Sequence, residues 1–188
     1  MSFVNHEHKH IFVHVPKTAG TSMERRSFVG GSAHAGIKGL LNKHNKDYFK
    51  WAFVRNPFDR LVSFHTASQQ HSKAFKEKIP ESFTEFALRL DEFSDITHLQ
   101  PQVDFLCIGD KLSMDFIGKY ESLHRDWNLV CRILKIKDSQ LPRLNKSDHP
   151  HWATQYNREL KLIVAKFYRE DFSRLQYDIS IPERNQDD

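Results

Sequence analysis

A lysine, a glycine and three hydroxyl residues stand within six positions of one another in Lys17-Thr-Ala-Gly-Thr-Ser22. The apolar stretch His10–Val15 reads as a short buried strand before them, ended by Pro16, and a helix from Thr21 to Val29, closed by Gly30 and Gly31, is expected after them. A strand that turns at once into a helix gathers backbone N–H groups and a helix N-terminus around one point. Such a point attracts an anion of phosphate size. Gly20 lets the backbone come close, Thr21 and Ser22 can add hydroxyl donors, and Lys17 supplies a mobile positive charge. The order is not that of a Walker A loop, in which the lysine follows the last glycine. A plain strand–turn–helix capped by Thr21 or Ser22 would use the same residue types.

A second stretch, Phe53-Val-Arg-Asn-Pro-Phe-Asp-Arg-Leu-Val-Ser63, carries Arg55 at the end of an expected strand, Phe49–Val54. In parallel α/β sheets the carboxyl ends of the strands are where ligands bind. Arg55 can fork two donors onto a phosphate. Pro57 suits the first position of a helix running to about Gln70, and Ser63 lies about two turns into it, where its hydroxyl can join Arg55. The plainer alternative pairs Arg55 with Asp59 and makes Ser63 a small packing residue. Two anion sites at neighbouring strand ends would suit a ligand with two separated phosphate groups.

The elements that must position these residues follow from periodicity. A helix is expected from Ile37 to about His44, and one from a capping box at Ser82–Glu85 through Leu90. Val103–Ile108 fits either a strand or a short helix, and Met114–Gly118 reads as a strand. Leu123, Trp127, Val130, Cys131 and Leu134 fall at helical spacing, as do Leu160, Ile163, Val164, Phe167 and Tyr168. Alternation of strands and helices predicts an α/β fold: a single P-loop-like, three-layer domain over residues 1–188, with a mostly parallel central sheet flanked by helices and a frayed tail at about 183–188.

Composition bounds the rest. The chain has 188 residues, 39% hydrophobic and 28% charged, including 15 Phe, which is enough for a packed core. A net charge of +4 suits an anion-binding protein but is far from a nucleic-acid-binding arm, so no nucleic-acid partner is expected. No apolar run is long enough to span a bilayer, and the first residues lack the apolar centre of a signal peptide. Cys107 and Cys131 form neither a disulfide framework nor a metal pair. These features together predict a cytoplasmic protein. His6, His8 and His10 would share a face if extended, but nothing else has ligand spacing, so no metal is expected. Oligomeric state is not legible.

Pro16–Ser22 and Arg55–Ser63 resemble the 5′-phosphosulfate loop and the 3′-phosphate motif of sulfotransferases that use 3′-phosphoadenosine 5′-phosphosulfate (PAPS). The likeness is to the carbohydrate sulfotransferases of the heparan 2-O and chondroitin type and their bacterial relatives. It extends from about His10 to Tyr177, with weaker pieces at His98–Gln102, Asp115–Glu121, Leu141–Ser147 and Tyr168–Phe172. It implies in-line, metal-free transfer of a sulfuryl group from PAPS to an acceptor hydroxyl, on a sugar or glycosylated metabolite, with PAP as the leaving product. Lys17 would meet charge on the bridging oxygen. The loop Thr18, Ala19, Gly20, Thr21 and Ser22 would hold the 5′-phosphosulfate, Arg55 and Ser63 the 3′-phosphate, and a late loop with Lys146 and Ser147 would close on the nucleotide.

An acceptor hydroxyl also needs a base, and histidine is the usual choice near neutral pH. Similar enzymes use a histidine between the two phosphate motifs, which here ranks His34 first among 12 histidines, ahead of His98 and then Glu24. A solvated loop histidine is the plain alternative for His34, acceptor positioning for His98, and a helix-dipole partner for Glu24. Tyr120 fits either a place near the nucleotide or a rim aromatic. Two other functions remain open at this level: a P-loop-type kinase, disfavoured by the lysine order, and a nucleotide-binding module without turnover.

Overall fold

The computed structural model of the protein describes residues 1–20, 22–23, 34–71, 73–136, 140–141 and 151–180. The chain forms two compact units, each built from two stretches: residues 1–55 with 100–146, and residues 56–99 with 147–188.

The first unit is built on a four-stranded sheet. Its strands are β1 (Phe3–Asn5), β2 (His10–Val13), β3 (Phe49–Val54) and, later in the chain, β6 (Phe116–Lys119), in spatial order β1-β2-β3-β6. β2, β3 and β6 are parallel, with Phe12 opposite Trp51 and Ala52 opposite Ile117, while β1 runs antiparallel along the edge. The expected α/β fold with a mostly parallel sheet is what forms. β2 and residues Trp51–Val54 of β3 are buried on both faces, as central parallel strands are. Phe3, Phe12, Trp51 and Phe53 share one face with Trp127, Val130 and Cys131 of the helix Leu123–Leu134. Gly118 sits directly opposite Phe53, and a Cβ there would lie 2.5 Å from the Phe53 ring. The missing side chain is what leaves room for that ring.

Three expectations change in this unit. β2 stops at Val13 rather than Val15, because the next N–H, that of His14, donates to Ser2 Oγ at 2.9 Å instead of continuing the ladder. The helix α1 (Ile37–Leu40) ends four residues early. Asn45 Oδ1 accepts from the Asn42 N–H and Asn42 Oδ1 from the His44 N–H, so side chains form a turn where helix was expected. The histidines at 6, 8 and 10 do not share an extended face: the chain reverses between β1 and β2, leaving His6 and His8 exposed and His10 buried against Trp51. The ambiguous stretch before β6 resolves as both alternatives, a short helix α5 (Gln102–Leu106) followed by the strand β4 (Cys107–Ile108), which pairs with β5 (Lys111–Leu112).

The second unit is helical. It contains α2 (Pro57–His71), α3 (Lys73–Lys78), α4 (Phe83–Leu88), α7 (Arg158–Phe167) and α8 (Arg169–Arg174), with the Leu123–Leu134 helix of the first unit taking the label α6. Pro57 opens α2 as expected, and Asn56 Oδ1 caps it by accepting from the Phe58 N–H at 2.9 Å. Ser82 and Asn157 cap α4 and α7 in the same way. The core is aromatic, with Phe58, Phe64, Phe86, Tyr156, Tyr168 and Phe172 in one buried cluster.

Candidate active site

The parallel register brings the carboxyl ends of β2, β3 and β6 to one edge of the sheet. Lys17, Arg55 and Tyr120 each follow one of these strands closely. They meet. Arg55 Nη1 donates to the Lys17 carbonyl at 3.3 Å, and the Arg55 guanidinium lies over the Tyr120 ring at 4.1 Å. Arg55 is buried, whereas Lys17 and Tyr120 are half-buried. Asp126 of α6 holds the turn that carries Tyr120, its Oδ2 accepting from the Lys119 N–H at 2.8 Å.

The Lys17 loop departs from ordinary backbone. Lys17 and Ala19 have φ of 70° and 66°, in the left-handed region that disfavours residues with a Cβ. Such conformations persist where surrounding structure imposes them, and they cluster at ligand sites. The Thr18 hydroxyl donates to the Val15 carbonyl at 2.8 Å, which ties the loop together from within. The helical turn begins at Ala19, whose carbonyl accepts from the Ser22 N–H at 3.0 Å. Gly20 packs against the His14 ring so closely that a Cβ would lie 2.1 Å from it. The need for glycine here is therefore steric.

Burial and the neighbouring Arg55 charge lower the Lys17 pKa to about 8. Two cations held side by side in this way form a site that an anion would relieve. The strained loop, the glycine contact and the paired cations fit a ligand with phosphate groups.

His34 lies against His14, whose ring packs on Gly20. Its ring lies 4.9 Å from that of His14, and its Nδ1 stands 3.5 Å from the His14 carbonyl. Donation from Nδ1–H to that carbonyl puts the lone pair on Nε2. Burial lowers the His34 pKa, more than the carbonyl raises it, so the ring is neutral at pH 7 and able to accept a proton. His34 has a φ of 44°, another left-handed residue.

Ser63 and His98 belong to the second unit. Ser63 is buried in α2. His98 lies in the turn Thr97–Leu99, with its ring 5.8 Å from Phe75 and 6.2 Å from Phe64. Its carbonyl accepts from Arg60 Nη1 at 3.2 Å. Thr21, Glu24, Lys146 and Ser147, and the helix expected from Thr21 to Val29 beyond Met23, lie outside the described residues.

Two contributors had no assigned role in the sequence reading. His14 is the wedge between Gly20 and His34. Gln102 binds the main chain of Arg55 at both its N–H and its carbonyl, at 2.9 and 2.8 Å. Gln102 stands within a stretch that resembles the sulfotransferases, but its partner is 47 residues away, so no local pattern marks the contact.

The sequence profile of the sulfotransferase family matches residues 33–178, a span that includes Arg55 and His34 and begins after the Lys17 loop. Carbohydrate sulfotransferase 11 of Rattus norvegicus is 26% identical over 95% of this chain and 67% of its own length. Carbohydrate sulfotransferase 14 of Danio rerio is 25% identical over 94% of the chain and 62% of its own length. Carbohydrate sulfotransferase 12 of Mus musculus is 26% identical over 73% of the chain and 42% of its own length. No solved structure gives a significant match. Among the described residues, no helix is long and apolar enough to cross a membrane. With its profile matched across most of its length, this chain belongs to the sulfotransferase family.

Proposed function

We propose that the protein transfers a sulfuryl group from PAPS to a hydroxyl of a carbohydrate acceptor, with the reacting groups gathered at the Lys17 loop. Family membership makes it a PAPS-dependent sulfotransferase. The sugar acceptor rests on the names of the relatives, which are carbohydrate sulfotransferases. The observation that carries the site assignment is the meeting of Lys17 and Arg55 at the carboxyl ends of neighbouring parallel strands, linked at 3.3 Å.

When bound, PAPS supplies a sulfuryl group whose bond to phosphate is readily broken. The residues do the rest. The loop from Thr18 to Ser22 holds the 5′ end through backbone and hydroxyl donors, and Arg55, with Ser63, holds the 3′-phosphate. His34 Nε2 accepts the proton of the acceptor hydroxyl as its oxygen bonds to sulfur and the sulfur–oxygen bond to PAP breaks. Lys17 faces the charge that builds on the departing phosphate oxygen, a preorganised cation at the point where charge develops. His98, and Lys146 with Ser147, are assigned to the acceptor and nucleotide sides respectively.

Lys17→Ala tests the assignment. Transfer from PAPS to a sugar acceptor should fall at least about a hundredfold, with a smaller loss of PAP affinity. Unchanged turnover would remove Lys17 from the chemistry.

A further inference from the structure

We propose that Gln102 is a positioning residue that sets Arg55 for recognition of the 3′-phosphate, and so determines the preference for a nucleotide that carries one. This rests on the reading of Arg55 as the 3′-phosphate ligand.

The ladder between β3 and β6 ends at Val54, opposite Lys119. Arg55 is the next residue, and its peptide groups lie beyond the last strand pair. Gln102 takes the place of a further strand. Its Oε1 accepts from the Arg55 N–H at 2.9 Å, and its Nε2 donates to the Arg55 carbonyl at 2.8 Å. The pairing fixes the orientation of the amide, because a backbone N–H can only donate and a carbonyl only accept. Gln102 is fully buried, so water does not compete for either bond.

Two bonds to one residue hold the backbone on both sides of its Cα. They therefore fix the direction in which the Arg55 side chain leaves the chain. The guanidinium is then held by the Lys17 carbonyl and the Tyr120 ring. An arginine ordered before binding loses little further freedom when a phosphate arrives. Without the amide, that ordering cost falls on binding. It falls only on ligands that use Arg55, and that restriction makes the effect one of specificity.

PAP and AMP share the adenosine and the 5′-phosphate and differ by the 3′-phosphate, so the ratio of their affinities reads this subsite alone. In calorimetric titrations, Gln102→Leu should lower PAP affinity about tenfold or more while AMP affinity stays within about twofold. Gln102→Asn keeps the amide on a side chain too short to reach both atoms. It should shift the ratio the same way by a smaller factor, and it decides the matter if the leucine variant does not fold. A general loosening of the structure would weaken both ligands together. An equal loss for PAP and AMP, or an unchanged ratio in the folded variants, overturns the inference. Arg55→Ala separates this failure from that of the underlying reading. If it abolishes the PAP preference while the Gln102 variants keep theirs, only the role of Gln102 falls. If it leaves the preference intact, the 3′-phosphate assignment falls with it.

Discussion

Lys17 carries the sharpest consequence at the scale of single residues. Burial and the Arg55 charge hold its pKa near 8, well below that of a free lysine. A bound phosphate group raises it again. If PAP binds beside Lys17 as proposed, then between about pH 8 and the higher value in the complex its binding takes up a proton, and affinity falls as pH rises. The slope should approach about tenfold per pH unit above pH 8 and vanish below it. Titrations of the wild type and of Lys17→Ala check this, since the variant should lose the slope. His34 makes a different demand. A neutral ring with its lone pair on Nε2 suits a general base, and His34→Ala should lower kcat about 10²- to 10⁴-fold with PAP affinity little changed. A kcat close to that of the wild type would pass the role of base to His98.

At the scale of elements, the loop between β2 and the following helical turn is a strained, glycine-dependent structure. Left-handed residues at Lys17 and Ala19 flank Thr18, and Gly20 lies against the His14 ring. That ring is buried, with the His14 N–H bonded to Ser2 Oγ. It cannot move aside as a surface side chain would. Gly20→Ala should displace the loop, weakening PAP binding at least about tenfold and lowering stability by about 1–3 kcal/mol. Calorimetry and denaturant unfolding measure the two effects. Wild-type affinity in this variant would mean that the loop adapts to the added methyl group. β3 lies between two parallel neighbours, and its last residue, Val54, is still paired with Lys119.

For the whole molecule, the two units draw on different physics. One is a mostly parallel sheet with an aromatic-rich face, and the other a helical cluster around Phe58 and Tyr168. A ligand that binds only the native state stabilises it by mass action. PAP at a hundred times its Kd should add about 2.7 kcal/mol and raise Tm measurably, with a smaller rise for Arg55→Ala at the same PAP concentration. No shift in the wild type would contradict a preformed PAP site.

The sequence by itself determined what is local. The strand His10–Val13, Lys17 and Gly20 after it, the strand Phe49–Val54, Arg55 at its end and the Pro57 helix are contiguous patterns, and each forms close to where it was expected. Their residue types are what prompted the expectation of an anion site there. Tertiary structure decided what depends on distant partners. Parallel pairing of β2 with β3 brings Lys17 to Arg55, and β6 brings Tyr120. The edge strand β1 escaped notice because three residues are too few for a periodicity to show. α1 fell short because asparagine side chains outcompeted helical backbone bonds. The contacts of Gln102 and His14 were illegible because a hydrogen bond or a ring contact has no periodicity. Only the folded chain brings the amide of Gln102 to the backbone of Arg55 and sets the ring of His14 between Gly20 and His34.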